Sequence, residues 1–199
     1  MQTLLLTGFE PFLKFKENPT GSTVEYFDGK EIGGFHIVGR VYPVEFRTLG
    51  AEAKADIEEY APDAVINLGL AGGRHTIDIE RIAINCMDGR PDNTEFEPDG
   101  EKIEEGGPDG LFSTLPIKRL ESALKSAAVP ARISNSAGTY LCNMLMYTTL
   151  YLLKTQQKDV KAGFIHVPAH HEIGSELNIP SWSQQDINNA VEHIIKNIK

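Results

Sequence analysis

Three side chains in the sequence have the types and settings for nucleophilic attack on a carbonyl: Cys142, His166 and Glu80. Cys142 lies in Ser136-Ala137-Gly138-Thr139-Tyr140-Leu141-Cys142-Asn143, where small residues lead straight into a helix expected from about Gly138 to Leu153. The thiol then sits in the first turns of that helix. Unpaired amides there stabilise a thiolate, the attacking species, and can also stabilise an oxyanion. A small apolar residue packed under a sheet fits the same position. His166, in Phe164-Ile165-His166-Val167-Pro168, closes an apolar strand, and open α/β sheets present their sites at such strand ends. A histidine in an apolar run must find a polar partner, catalytic or structural. Glu80 stands among isoleucines, where a carboxylate has to be paired or exposed. Arg81 is adjacent, but neighbours on a strand point to opposite faces.

Two further constellations are weaker. His166, His170, His171 and Glu172 raise the question of a metal. Pro168 prevents the helix that would align His166 with His170, and no His-Glu-x-x-His is present, so no metal is expected. Gly69-Leu70-Ala71-Gly72-Gly73-Arg74 follows a strand and could cradle a phosphate or admit a substrate backbone. It matches neither glycine-rich phosphate signature, and a strand rather than a helix follows it.

The elements that must position these residues alternate apolar runs with amphipathic stretches, which predicts an α/β fold. Strands are expected at Thr3 to Thr7, Phe35 to Val41, Ala64 to Leu70, Ala131 to Ser134 and Ala162 to Val167. Helices are expected from Asn18-Pro19 to about Phe27, Phe46 to Tyr60, Pro116 to Ser126 and Ser183 to Lys199, with Gly8 to Asn18 as a loop. In the last helix Ser183 with Asp186 makes a capping pattern, and Ile187, Val191, Ile194 and Ile198 form a buried stripe. Between Thr76 and Asn85 the alternation slips by one at Glu80-Arg81: Ile77 and Ile79 share one parity, Ile82 and Ile84 the other. A β-bulge does this, and so does a strand buried on both faces. Cys86 to Gly110, rich in Asp, Glu, Gly and Pro, reads as a functional or mobile loop.

Length and composition bound the rest. The 199 residues fit one domain, 1–199, with a full core. Apolar residues make up 41% and charged residues 24%, ordinary for a globular protein. A net charge of −9 argues against nucleic acid or an anionic membrane as partner. Cys86 and Cys142 give no disulfide framework, the start lacks the pattern of a signal peptide, and no window is long and apolar enough to span a membrane, which points to the cytoplasm.

The sequence resembles the pyrrolidone carboxyl peptidases, the type I pyroglutamyl peptidases. Four segments carry the match: Thr7-Gly8-Phe9-Glu10-Pro11-Phe12 with Asn18-Pro19; Gly69 to Arg74 with Glu80-Arg81-Ile82-Ala83-Ile84-Asn85; Ser134 to Asn143; and Phe164 to Pro168. Their order and spacing fit from about Thr3 to Pro168. The resemblance implies Cys142 as nucleophile, His166 as general base and acid, and Glu80 as third member. It also implies Phe9, Phe12, Tyr140 and Leu141 lining a pyroglutamyl pocket, and Arg90 close to the cysteine. It implies an open α/β/α sandwich around a mixed, mostly parallel sheet, neither metal nor cofactor, peptides with N-terminal pyroglutamate as substrates, and a homo-oligomer, often a tetramer. Four differences stand out. Leu70 occupies a frequent glutamine position and Asp78 a usual Ser or Thr position, Pro91 directly follows Arg90, and Ala169-His170-His171-Glu172 departs from the usual continuation.

Two other functions suit the same architecture. A nucleoside phosphorylase-like transferase could use the Gly69 to Arg74 turn for phosphate without Cys142. A catalytically silent module would bind a small acid without turnover. Neither needs Glu80, Cys142 and His166 together.

Overall fold

The computed structural model describes residues 1–12 and 15–199; residues 13 and 14 of the loop expected from Gly8 to Asn18 lie outside it. The chain opens with β1 (Gln2–Phe9) and α1 (Pro19–Phe27). Asn18 caps α1, its Oδ1 accepting the Thr20 N–H at 3.0 Å, with proline in the first helical position. The two-residue β2 (Glu31–Ile32) folds back on β3 (Phe35–Tyr42). Then α2 (Phe46–Tyr60) ends on a left-handed Ala61 ahead of Pro62, and β4 (Ala64–Leu70) follows. A run of short strands comes next: β5 (Ile77–Glu80), β6 (Ile82–Ile84), β7 (Met87–Asp88), β8 (Asp99–Glu101) and β9 (Gly110–Phe112). The chain continues through α3 (Ile117–Ser126), β10 (Ala131–Ser134), α4 (Leu141–Thr155) and β11 (Lys161–Val167). It closes with β12 (Ala169–His170), α5 (His171–Leu177), β13 (Ser181–Trp182) and α6 (Gln184–Lys196).

Seven strands form the main sheet in the order β10-β5-β11-β4-β1-β3-β2. The centre, β11-β4-β1-β3, is parallel; β5 runs antiparallel to β11 and parallel to β10. The central strands are apolar on both faces because helices cover both. Leu4, Leu6, Ile66, Leu68, Ile165 and Val167 pack on the layer of α1, α3 and α6. Leu5, Val65, Ala162 and Phe164 pack on the layer of α2 and α4. The result is the expected three-layer sandwich. At the start of α6 Ser183 Oγ accepts the Asp186 N–H at 3.1 Å; Ile187, Val191 and Ile194 of the helix, and Ile198 just beyond its end at Lys196, are all 1% exposed or less.

Three local expectations change. The slip at Glu80-Arg81 is no bulge within one ladder. β5 is buried on both faces and ends at Glu80; Arg81 then carries the chain out of the main sheet, and β6 pairs with β9 instead. Parity changes because the chain changes partner. The stretch Cys86 to Gly110 is not a bare loop: β7 pairs with β8, and buried Asp92 accepts N–H groups from Phe46, Thr94 and Phe96 at 2.8–3.1 Å. Helix α4 starts at Leu141, three residues after Gly138, whose φ of +81° belongs to the preceding turn. The short α5 was not foreseen; its seven residues carry too little periodicity to announce a helix.

Candidate active site

Strand parity places the chemistry. Ile77 and Ile79 of β5 face one helical layer, so Asp78 and Glu80 face the other, towards α4. In β11, Ile165 and Val167 face the first layer and Phe164 the second, so His166 also turns to α4. Because β5 and β11 are antiparallel, His166 stands opposite Asp78, and Glu80 is its diagonal neighbour. His166 Nδ1 donates to Glu80 Oε1 at 2.8 Å, since a carboxylate can only accept. That fixes the ring and leaves Nε2 available to Cys142, which acts on His166 electrostatically. Cys142 is the second residue of α4, and Tyr140 at the N-cap makes no side-chain capping bond, so the first-turn amides remain open to a ligand.

A close backbone approach lets the thiol in. A methyl group on Gly69 of β4 would lie 2.8 Å from Cys142 Sγ and 2.6 Å from the Phe164 ring. The first glycine of the Gly69 to Arg74 turn therefore makes room for sulfur rather than for phosphate. The last residue of that turn is committed as well: Arg74 Nη1 donates to Asp78 Oδ2 at 2.6 Å and to Glu80 Oε1 at 3.1 Å. Arg81 instead donates to Asn135 at 2.7 Å, so Glu80's arginine partner is the one six residues upstream. Sequence reading missed this, because a turn residue carries no periodic signal for the strand face it reaches.

Burial, the largest influence on His166, lowers its pKa. The negative charge on Cys142, the hydrogen bond with Glu80, and the Glu80 charge outweigh burial and push it up to about 9. The charged imidazolium is thus the form of His166 that these neighbours favour. Burial also acts on Asp78 most strongly, upwards. Hydrogen bonds from Arg132 and Thr76 and the charges of Arg74 and Arg132 overcome it and hold the carboxyl below its usual range.

The expected pocket residues fall into two groups. Phe9, at the end of β1, is 4% exposed and Leu141 1%, so both belong to the apolar layer behind the surface. Phe12 and Tyr140 are half-buried, with ring centroids 5.7 Å apart, and Phe46 meets Tyr140 edge-on at 5.0 Å. The exposed Arg90 holds its guanidinium 5.7 Å from the Phe12 ring centroid. Burial pushes the Tyr140 phenol up to about 12, and this phenol feels the charges of Asp92, Arg90 and Cys142, which ties the cluster to the thiol. Asn143, next to Cys142 and fully buried, donates to the carbonyls of Ile84 and Cys86 at 2.8 and 3.0 Å and accepts the Ile84 N–H at 2.9 Å. It clamps the β6–β7 connection onto α4.

The histidine group does not converge. His171 Nδ1 lies 3.0 Å from Ser181 Oγ, and His170 Nε2 lies 3.3 Å from Glu17 Oε2. Glu17, His170 and Glu172 bring possible ligand atoms within 4.8 Å of one another. His170 Nδ1, however, accepts the Ile173 N–H, which places the neutral ring's proton on Nε2, where a metal would need a lone pair. Two cavities of about 520 and 480 Å³ lie elsewhere, one beside Trp182 and His193, the other beside Met144 and Leu152. Neither is lined by Glu80, Cys142 or His166.

Known proteins share this arrangement's frame. A pyrrolidone-carboxylate peptidase of Oceanobacillus iheyensis is 48% identical over 192 residues, 96% of each chain. The solved pyrrolidone carboxyl peptidase from Thermococcus litoralis superposes with a TM-score of 0.96 at 42% identity, covering 100% of this chain and 93% of that one. The pyroglutamyl peptidase I of Bacillus amyloliquefaciens gives 0.96 at 34% identity, covering 100% and 97%. The family model described as pyroglutamyl peptidase matches residues 2–199, and the chain belongs to that family.

Proposed function

We infer that the protein hydrolyses the bond after an N-terminal pyroglutamyl residue, with Cys142 as nucleophile, His166 as base and acid, and Glu80 holding the ring. The observation that carries this reading is the Glu80–His166 hydrogen bond, with Cys142 at the start of α4 acting on the same imidazole, in a chain of this family. Cys142 sulfur, its proton held by His166, attacks the scissile carbonyl. The carbonyl oxygen becomes an oxyanion beside the first-turn amides of α4. The C–N bond breaks as His166 protonates the leaving amine. Water then gives a proton to His166, attacks the thioester and releases pyroglutamate, and the thiol is restored.

Pyroglutamate has no free amine, so recognition rests on a flat ring and the two polar groups of its lactam. Phe12 and Tyr140 supply aromatic walls, with Phe9 and Leu141 behind them and Arg90 at the rim. Leu70 has no hydrogen-bonding group, so the backbone of the Gly69 to Arg74 turn or the loop at Arg90 holds the lactam. The test compares kcat/KM for pyroglutamyl and prolyl amides of one fluorogenic amine. Proline lacks the lactam carbonyl and carries a charged ring nitrogen. An unpaired buried cation and an orphaned donor together reduce prolyl turnover by about a thousandfold or more. A ratio near one would mean that only ring shape is read and would replace this function by that of a broader thiol aminopeptidase.

The whole of 1–199 acts as one domain in this reading, in the cytoplasm, where thiols stay reduced; Cys86 and Cys142 are both free, and no described helix is long and apolar enough to cross a membrane. A homo-oligomer, tetrameric by family resemblance, is supported by an apolar strip on the β6–β9 ribbon. Phe112 there is 66% exposed and Ile84 40%. Sedimentation velocity that finds monomer alone at micromolar concentration contradicts the oligomer.

A further inference from the structure

We propose that Arg74 is a positioning residue: its guanidinium, shared between Glu80 and Asp78, completes the charge balance in which Cys142 and His166 stand as an ion pair. The proposal rests on the reading of those two residues given above. Glu80 Oε1 takes two donors, His166 Nδ1 at 2.8 Å and Arg74 Nη1 at 3.1 Å. Its other oxygen, Oε2, is buried with no hydrogen-bond partner among the described residues. Asp78 is a second fully buried carboxylate on the same strand face, opposite His166.

Beyond the Tyr140 phenol, which couples to the thiol and is itself under the opposite charges of Arg90 and Asp92, the charged groups around the pair come from five elements. β5 supplies Asp78 and Glu80, the turn after β4 supplies Arg74, β10 supplies Arg132, β11 His166 and α4 Cys142. Arg81, at the end of β5, is turned to Asn135. With thiolate and imidazolium formed, Asp78, Glu80 and Cys142 are negative, while Arg74, Arg132 and His166 are positive, so the cluster is neutral. The two arginines are not equivalent. Arg132 holds Asp78 through two bonds at 2.8–2.9 Å, but its side chain is 57% exposed and screened by solvent. Arg74 is 30% exposed and is the one that touches both carboxylates. Without Arg74, the buried site carries an excess negative charge that draws a proton onto the thiolate–imidazolium pair.

The test follows alkylation of Cys142 by iodoacetamide against pH in the full chain carrying Cys86→Ala, a readout that needs no peptide. Arg74→Met is expected to move the midpoint to higher pH by about one unit, slowing alkylation roughly tenfold on the acid side. Arg74→Lys recovers most of this, and adding Asp78→Asn to Arg74→Met brings the midpoint back towards the parent. A folded Arg74→Met protein with the parent midpoint, or a double variant shifted as far as the single one, overturns the proposal. Should Arg74→Met not fold, Asp78→Asn alone decides: it is expected to lower the midpoint, and an unchanged or raised midpoint overturns the proposal. A parent protein whose Cys142 is inert while pyroglutamyl turnover persists overturns the nucleophile assignment itself.

Discussion

His166 is 5% exposed, and an enclosed imidazole ordinarily gives up its proton readily. Here the neighbours reverse that tendency and hold the proton to about pH 9, with the Cys142 charge as the largest upward influence. Because the folded value is raised above 6.5, the stabilisation from the charged ring is complete below about 6.5 and is lost as pH rises through about 9. Two outcomes follow from the same charge. The alkaline limb of kcat/KM should fall near pH 9, where the acid that protonates the leaving amine is lost. In Cys142→Ala the His166 ring should titrate at lower pH, followed by the NMR signals of its ring protons; an unchanged titration would show that the thiolate is not its partner. Glu80, Cys142 and His166 could each be singled out in the sequence as candidates, and the family resemblance joined them as a triad; the structure puts Glu80 within hydrogen-bond distance of His166. Arg74 was not legible in the sequence, since its two partners lie four and six residues away around a turn that only the folded backbone defines.

At the scale of elements, periodicity located α1, α2, α3 and the central strands to within about two residues and α6 to within three, since each carries a cap, a proline or a continuous apolar face that local chemistry dictates. It failed where pairing is non-local. The exit of β6 from the sheet at Arg81 and the β7–β8 ladder depend on partners far along the chain. Asn143 holds this region to α4 with three part-buried hydrogen bonds. Asn143→Leu leaves backbone groups of Ile84 and Cys86 unsatisfied. It should cost roughly 2–4 kcal/mol in urea unfolding and lower kcat as well, because the neighbouring Cys142 loses its support. Ser183→Ala, which removes the N-cap of α6 in the opposite helical layer, should cost about 1 kcal/mol and leave kcat unchanged. Equal effects of the two substitutions on kcat would mean that the clamp has no bearing on the site.

Across the whole molecule, one sheet brings Glu80, His166 and the Gly69 approach to its α2/α4 face, and α4 delivers Cys142 onto them. The sandwich and its mostly parallel sheet could be anticipated from the alternation of elements. The antiparallel insertion of β5 beside β11 could not, although it is what sets Glu80 diagonal to His166. Cys86, half-buried in the connection that Asn143 clamps, shares none of that convergence. The most direct test is therefore kcat for a pyroglutamyl amide of a fluorogenic amine in the wild type, Cys86→Ala and Cys142→Ala. Cys86→Ala should retain most of the activity, and Cys142→Ala, folded as judged by its unfolding curve, should lose about four orders of magnitude or more. A Cys142→Ala protein within tenfold of the wild type, or an inactive Cys86→Ala beside it, would contradict the account.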